Sequence, residues 1–182
     1  DYTGIDIDGD GLGDTNLPYD CSGNIQHGGD YVPLVSIPTT VYIDDDFNSS
    51  TLGWQYNHFN KIQDGINAVA ENGTVYVFNG TYYENVIVNK TINLIGENRN
   101  NTIIDGGGNG DVVYVSADGV NISEFSITSS ISSDHDAGID IHSDNNKIAN
   151  CTIYSNNGDG IRVDSSSNNT IFNCTISNNT GW

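Results

Sequence analysis

The feature that most limits what this chain can become is a repeat near its C-terminal end. Residues 138–159 read GIDIHSDNNKIANCTIYSNNGD, and residues 160–182 read GIRVDSSSNNTIFNCTISNNTGW. Gly138-Ile139 and Ile141 align over Gly160-Ile161 and Val163, Asn145-Asn146 over Asn168-Asn169, Cys151-Thr152-Ile153 over Cys174-Thr175-Ile176, and Asn156-Asn157 over Asn178-Asn179. The offset is 22 residues at the glycines and 23 at the cysteines. Apolar residues alternate within each copy, the periodicity of strands and not of helices. About 22 residues at roughly 3.3 Å each make one lap of a flattened coil, and laps stacked about 4.8 Å apart pair as parallel strands. The repeat therefore predicts an all-β solenoid, a parallel β-helix.

Alternation extends upstream through Val75/Val77, Val86/Val88, Ile92/Leu94, Val113/Val115 and Val120/Ile122, with turn residues such as Asn79-Gly80 and Asp105-Gly106-Gly107-Gly108 between them. Residues 74–182 at about 22 per lap give about five coils. Inward positions are expected at Ile139, Ile141, Ile148, Cys151, Ile153, Ile161, Val163, Ile171, Cys174 and Ile176. Cys151 and Cys174 occupy equivalent places and are read as part of an inward ladder of small side chains. A bridge between them is the alternative, since coil spacing falls in the range a disulfide spans. The third cysteine, Cys21, leaves the count odd, a poor disulfide framework. Ahead of the strands, residues 60–71 carry Ile62, Ile66, Val69 and Ala70 on one face, with Asn60 as the expected N-cap and Asn72-Gly73 as the stop. This helix is expected to cover the open apolar end of the solenoid.

The formal charge is −19, from 24 acidic and 5 basic residues. Such a surface disfavours nucleic acid and anionic lipid and suits divalent cations. No run of apolar residues is long enough to span a membrane. Near the N-terminus, Asp6, Asp8, Asp10, Gly11 and Asp14 match the front of a calcium loop. Alternate carboxylates and the Leu12 carbonyl would converge on a hard cation while glycine permits the tight turn. Position twelve is Leu17 instead of a bidentate glutamate, so Asp20 or Asp30 is the candidate closing ligand. Asp44 to Asp46 form an acid run read as a solvated turn. Sequons occur at Asn48, Asn72, Asn79, Asn89, Asn100, Asn121, Asn150, Asn168, Asn173 and Asn178, of which a subset is expected to carry glycans in an extracytoplasmic setting.

Gly80-Thr81-Tyr82, the preceding Ile62-Gln63-Asp64-Gly65-Ile66 and the following Ile92-Asn93-Leu94-Ile95-Gly96-Glu97 resemble the start of pectin-lyase-like right-handed β-helix proteins. The later coils resemble the NosD-like subgroup, common in secreted archaeal proteins. Residues 1–20 and Asp30-Tyr31-Val32-Pro33-Leu34 resemble the segment that closes such a helix. This implies three parts: 1–35, a calcium-loop segment ending a preceding unit; 36–73, a linker, short strand and capping helix; and 74–182, the β-helix. On this reading the chain is a piece of a longer secreted polypeptide.

Relatives that cleave pectate need a basic residue beside a calcium cluster, and Arg99 and Arg162 are the only arginines. Arg162 is expected to point outward and form an exposed ladder pair with Asp140 one coil away. A Gly-His-Gly turn is absent. Asp134, His135, Asp136, Asp140 and His142 are the best catalytic or metal cluster on offer, read here as a solvated loop. Copper is disfavoured, with Met absent and His27, His58, His135 and His142 scattered. The sequence thus predicts a non-enzymatic extracellular structural or adhesive protein, a surface-layer or filament component. Calcium would stabilise junctions between units that associate head-to-tail or in tandem, possible glycan partners aside. The alternative is a carbohydrate-binding or polysaccharide-degrading β-helix, which a groove of outward aromatic rings with acids would favour.

Overall fold

A computed structural model describes residues 36–131 and 135–181. The chain divides into two compact units, Asp1–Ser36 and Ile37–Trp182, and the fold described is that of the second. Two strands, β1 (Thr40–Ile43) and β2 (His58–Phe59), precede a single helix, α1 (Ile62–Ala68). Four coils of three strands follow: β3 (Thr74–Val77), β4 (Gly80–Tyr83) and β5 (Val86–Val88); β6 (Asn93–Gly96), β7 (Thr102–Asp105) and β8 (Val113–Val115); β9 (Asn121–Ser123), β10 (Ser126–Thr128) and β11 (Ala137–Ile141); β12 (Lys147–Ala149), β13 (Thr152–Tyr154) and β14 (Asp159–Val163). β15 (Thr170–Phe172) and β16 (Thr175–Ser177) begin a fifth.

Equivalent strands pair in parallel and form three sheets: seven strands from β15 to β2, five from β16 to β4, and four from β14 to β5. In strands such as β1, β3, β8 and β13, Val or Ile points inward and a polar or aromatic residue outward, the arrangement that buries β-branched residues on one pleated face. Register follows the repeat: Ile139 lies over Ile161, Ile141 over Val163, Ile148 over Ile171 and Ile153 over Ile176. Ile139, Ile141, Ile148, Cys151 and Ile153 are fully buried. Their counterparts in the next coil stack correctly but are covered from one side among the described residues: Ile161 and Cys174 are partly buried against the core, and Val163, Ile171 and Ile176 are exposed. Both cysteines are free thiols, as the ladder reading expects.

Two details differ from the sequence reading. Coil length is uneven, with first strands starting at Thr74, Asn93, Asn121, Lys147 and Thr170. The difference lies in connections between strands, such as 106–112, that leave strand register untouched. Asn156 stacks on Asn179, not Asn178: the Asn156 N–H and Nδ2 both donate to Asn179 Oδ1 at 3.0 Å, and Asn156 Oδ1 accepts the Ser130 N–H at 3.0 Å. Asn146 and Asn169 make the equivalent step at a second corner, 2.8 Å from N–H to Oδ1. The inserted residue therefore falls before this asparagine and not only before the cysteines.

Corners that turn the chain between sheets put Asn145, Asn150, Asn168, Asn173 and Asn178 at positive φ, between 51° and 61°. Asparagine tolerates this left-handed backbone better than most residues, which explains the Asn-rich repeat. Of the ten sequon asparagines nine are exposed, and Asn150 is half-buried with its amide donating to Glu124 Oε1 at 2.8 Å.

Helix α1 packs Ile62 and Ile66 over the first rung, so close that a Cβ at Gly65 would lie 2.3 Å from Ile43 Cδ1. Asn60 does not cap it. The capping position is Lys61, whose side chain makes no cap bond, and the exposed donors are met by Glu84 instead.

Candidate functional site

The expected calcium ligands Asp6, Asp8, Asp10, Leu12 and Asp14 lie outside the described residues, as do Asp20, Asp30, Cys21 and Asp134. Among the described residues, Asp44, Asp45 and Asp46 bring carboxylate oxygens within 4.8 Å of one another. The Asp46 N–H donates to Asp44 Oδ1 at 3.0 Å, so the run is held as a turn, in keeping with the sequence reading.

That turn delivers Phe47 to a patch of rings on the outer face of the seven-stranded sheet. In β1 and β3, Val41, Ile43, Val75 and Val77 point inward, so Tyr42 and Tyr76 must point outward, and Phe78 continues the alternation. Tyr42 stacks on His58 at 5.2 Å and on Phe78 at 6.3 Å between centroids, and meets Tyr76 edge-on at 6.5 Å. Phe47 lies 5.0 Å from His58 and 6.1 Å from Phe78, and Tyr76 lies 5.2 Å from Phe78. All five side chains are partly accessible. The sequence reading missed this patch, although Tyr and Phe alternating with Val in VYI and VYVF carried the signal.

A second constellation sits on the outer face of the four-stranded sheet. Ile87, Tyr114, Asp140 and Arg162 form one outward column across β5, β8, β11 and β14. Arg162 pairs with Asp140 as expected, Nη1 to Oδ2 at 3.1 Å, but the pair is not exposed. The Asp140 side chain is only 3% accessible, beneath Arg162 and His142. His142 Nε2 meets the same Oδ2 at 2.8 Å, and its ring lies 5.2 Å from that of Tyr114. Arg162 also donates to Asp164 Oδ2 at 2.7 Å and to the His135 carbonyl at 3.3 Å. Asp140 and His142 thus belong to a folded-sheet cluster and not to a solvated loop; His135 is exposed and contributes its carbonyl.

Tyr114 also lines a shallow groove of about 370 Å³ with Asn85, Val86, Ile87, Asn109, Gly110 and Asp111. Asn85 Nδ2 ties β5 to the opposite loop by donating to the carbonyls of Asn109 and Asp111. Asp111 accepts the Ala137 N–H at 2.7 Å, and burial together with Asp140 and Asp136 pushes its carboxyl above the usual carboxylate range despite that bond. Asp111 and Tyr114 carry no motif, and only strand register places them beside Asp140.

A family model described as the right-handed β-helix region matches residues 90–181, just over half of the 182-residue chain. The chain belongs to this family of right-handed β-helices. Among solved structures it is similar to a pectin methylesterase mutant in complex with a hexasaccharide, at 14% identity and a TM-score of 0.52. The similarity covers 75% of this chain and 54% of that one, so the chain spans about half the length of that protein. No curated protein matches the chain. Among the described residues, no helix is long and apolar enough to cross a membrane.

Proposed function

We propose that this chain is a carbohydrate-binding β-helix that holds a neutral or esterified glycan against Tyr42, Tyr76, Phe78, Phe47 and His58. The observation that carries this reading is the five-ring patch beside the Asp44–Asp46 turn. Ring faces offer the apolar C–H surface of a sugar a flat partner, while nearby carboxylates accept its hydroxyls. A solenoid needs only its inward residues to fold, so outward aromatic rings on adjacent rungs call for a partner of their own. A charge of −19 argues against polyanionic chains as ligands. The similarity to a pectin methylesterase held with a hexasaccharide supports the same ligand class.

The structural or adhesive reading rests on the repetitive scaffold, and the ring patch moves the balance toward carbohydrate. An extracellular location, calcium at Asp6, Asp8, Asp10, Leu12 and Asp14, and head-to-tail association of units stay with the proposal, supported by the acidic composition and the loop motif. Calorimetric titration with neutral, methyl-esterified and de-esterified oligosaccharides tests the binding reading. Tyr76→Ala and Tyr42→Ala should each weaken binding by roughly 1–2 kcal/mol. A wild-type chain that binds none of the three, or variants that bind as tightly as it does, would refute it.

A further inference from the structure

We propose that His142, oriented by Asp140, is a general base that activates water for the hydrolysis of a carboxylic ester carried by a glycan lying in the Tyr114 groove. The proposal rests on the carbohydrate reading above but concerns a different face of the solenoid and a chemical step.

The argument starts from Asp140. Its side chain is almost wholly buried, and Oδ2 gathers His142 Nε2 at 2.8 Å and Arg162 Nη1 at 3.1 Å. Its Oδ1 makes no hydrogen bond with a described residue. A carboxylate beside an imidazole nitrogen accepts, so the Nε2 proton points at Asp140 and Nδ1 is left with its lone pair. No hydrogen bond from a described residue occupies Nδ1, and the His142 side chain is 30% accessible. A buried carboxylate fixing the tautomer of a partly accessible imidazole, whose other nitrogen makes no hydrogen bond with a described residue, is the arrangement general-base chemistry needs.

Position connects the base to a binding surface. The Tyr114 ring packs 5.2 Å from His142 and also lines the groove, together with Asn85 and Asp111. Ile87 offers that groove an apolar floor, while Asn109 and Asp111 offer hydroxyl partners. Arg162 brings positive charge to Asp140 Oδ2, the atom that also meets His142 Nε2, and is held there by Asp140 and Asp164.

An ester suits these groups better than a glycosidic bond. Cleaving a glycoside needs two carboxyl groups flanking the bond, one of them a proton donor. Here the accessible group is an imidazole backed by a carboxylate, the pairing that serves acyl transfer to water. Water attacks the ester carbonyl carbon and gives its proton to His142 Nδ1. The oxyanion of the tetrahedral intermediate forms near the Arg162 guanidinium. The intermediate then collapses, the carbon–alkoxy bond breaks, and the leaving oxygen takes the proton from Nδ1. Ester and water become acid and alcohol, and the base is restored. The acid ionises, and a surface of charge −19 repels the new carboxylate, which favours release.

The test uses the full chain with three esters: p-nitrophenyl acetate, an acetylated oligosaccharide and a methyl-esterified oligosaccharide, acid release being followed by titration. Hydrolysis of at least one should fall roughly 10²- to 10⁴-fold in His142→Asn, with circular dichroism and oligosaccharide affinity at the ring patch unchanged. Asp140 is a positioning residue, and Asp140→Asn should lower kcat with KM nearly unchanged and leave the His142 imidazole in a mixture of tautomers by ¹⁵N spectroscopy, which a merely structural role would not produce. If either variant fails to fold, ¹⁵N spectra of the wild-type imidazole decide: the Nε2–H tautomer is expected, and the Nδ1–H tautomer overturns the assignment. No acid released from any ester by the wild type, or full activity in His142→Asn, also overturns it. Glycan binding that persists in a chain without hydrolysis leaves the binding reading standing alone, and hydrolysis without patch binding sinks that reading instead.

Discussion

Glu84 caps helix α1 from the far end of a coil strand: its two carboxylate oxygens accept the N–H groups of Ile62 and Gln63 at 2.8 and 3.0 Å. Two of the unsatisfied donors at the start of the helix are met by one residue more than twenty positions away. The same contact fastens the helix to the first coil.

Glu84 has a pH signature. Burial raises its carboxyl above the ordinary 4.5, against the pull of the two N–H bonds. A group whose folded value is raised contributes stability fully below the unfolded value and loses it as pH climbs through the folded one. Thermal melts of the wild type should therefore carry a decline from this group as pH rises from about 4.5 through that value. Glu84→Gln cannot ionise and should remove that component of the slope, while Glu84→Ala should cost about 0.5–2 kcal/mol as a lost cap. Identical slopes in wild type and Glu84→Gln would rule the account out.

Asn156 is a structural polar residue. Its side chain satisfies the Ser130 N–H and reaches the Ile127 carbonyl at 3.3 Å, wholly buried. Asn156→Ala should leave the Ser130 N–H without its side-chain acceptor, at about 1–3 kcal/mol. Gly138 is small for the same reason, since a Cβ there would sit 2.6 Å from Asn156 Nδ2 and 2.7 Å from the Gly160 carbonyl. Gly138→Ala should destabilise as well, and urea titration of the two variants and the double variant should show non-additive losses.

Ile139 is fully buried between Val113 and Ile161. Ile139→Asp places an uncompensated charge in that stack and should abolish the cooperative transition. A folded Ile139→Asp chain would mean that the stacked register is wrong.

Cys174 should be the reactive thiol of its pair. The buried Cys151 thiol beside it favours the Cys174 thiolate and is itself pushed up, while the neighbouring Arg99 charge adds to the effect on Cys174. Mass spectrometry after brief iodoacetamide treatment at neutral pH should find Cys174 alkylated before Cys151. Replacing Cys151 with Ala should slow that reaction, and equal labelling of both cysteines would contradict the pairing.

Much of the scaffold was legible because inward positions repeat. Ile139/Ile161, Ile148/Ile171 and Ile153/Ile176 follow from one alignment, and parallel pairing leaves little freedom once that alignment is set. Helix α1 was legible for a similar reason, its apolar face falling at Ile62 and Ile66. Its cap was not, because Glu84 reaches it through space and leaves no local spacing to read. The burial of Asp140 was hidden too. Strand alternation gives the outward direction, and only the bulk of Arg162 and His142 above it decides that outward here is not exposed. The ring patch depended on His58 and Phe47 arriving from turns whose paths no periodicity dictates.

Two of the longer connections, from β7 to β8 and from β10 to β11, enter the sheet that carries Tyr114 and Asp140. One supplies Asn109 and Asp111 to the groove, and the other supplies the His135 carbonyl to Arg162. Lengthening or shortening the first would redraw the walls of the groove while every stacked Val and Ile kept its neighbour. The lining of the groove and the stacked core are therefore written in separate parts of this chain, so that one can drift while the other is held.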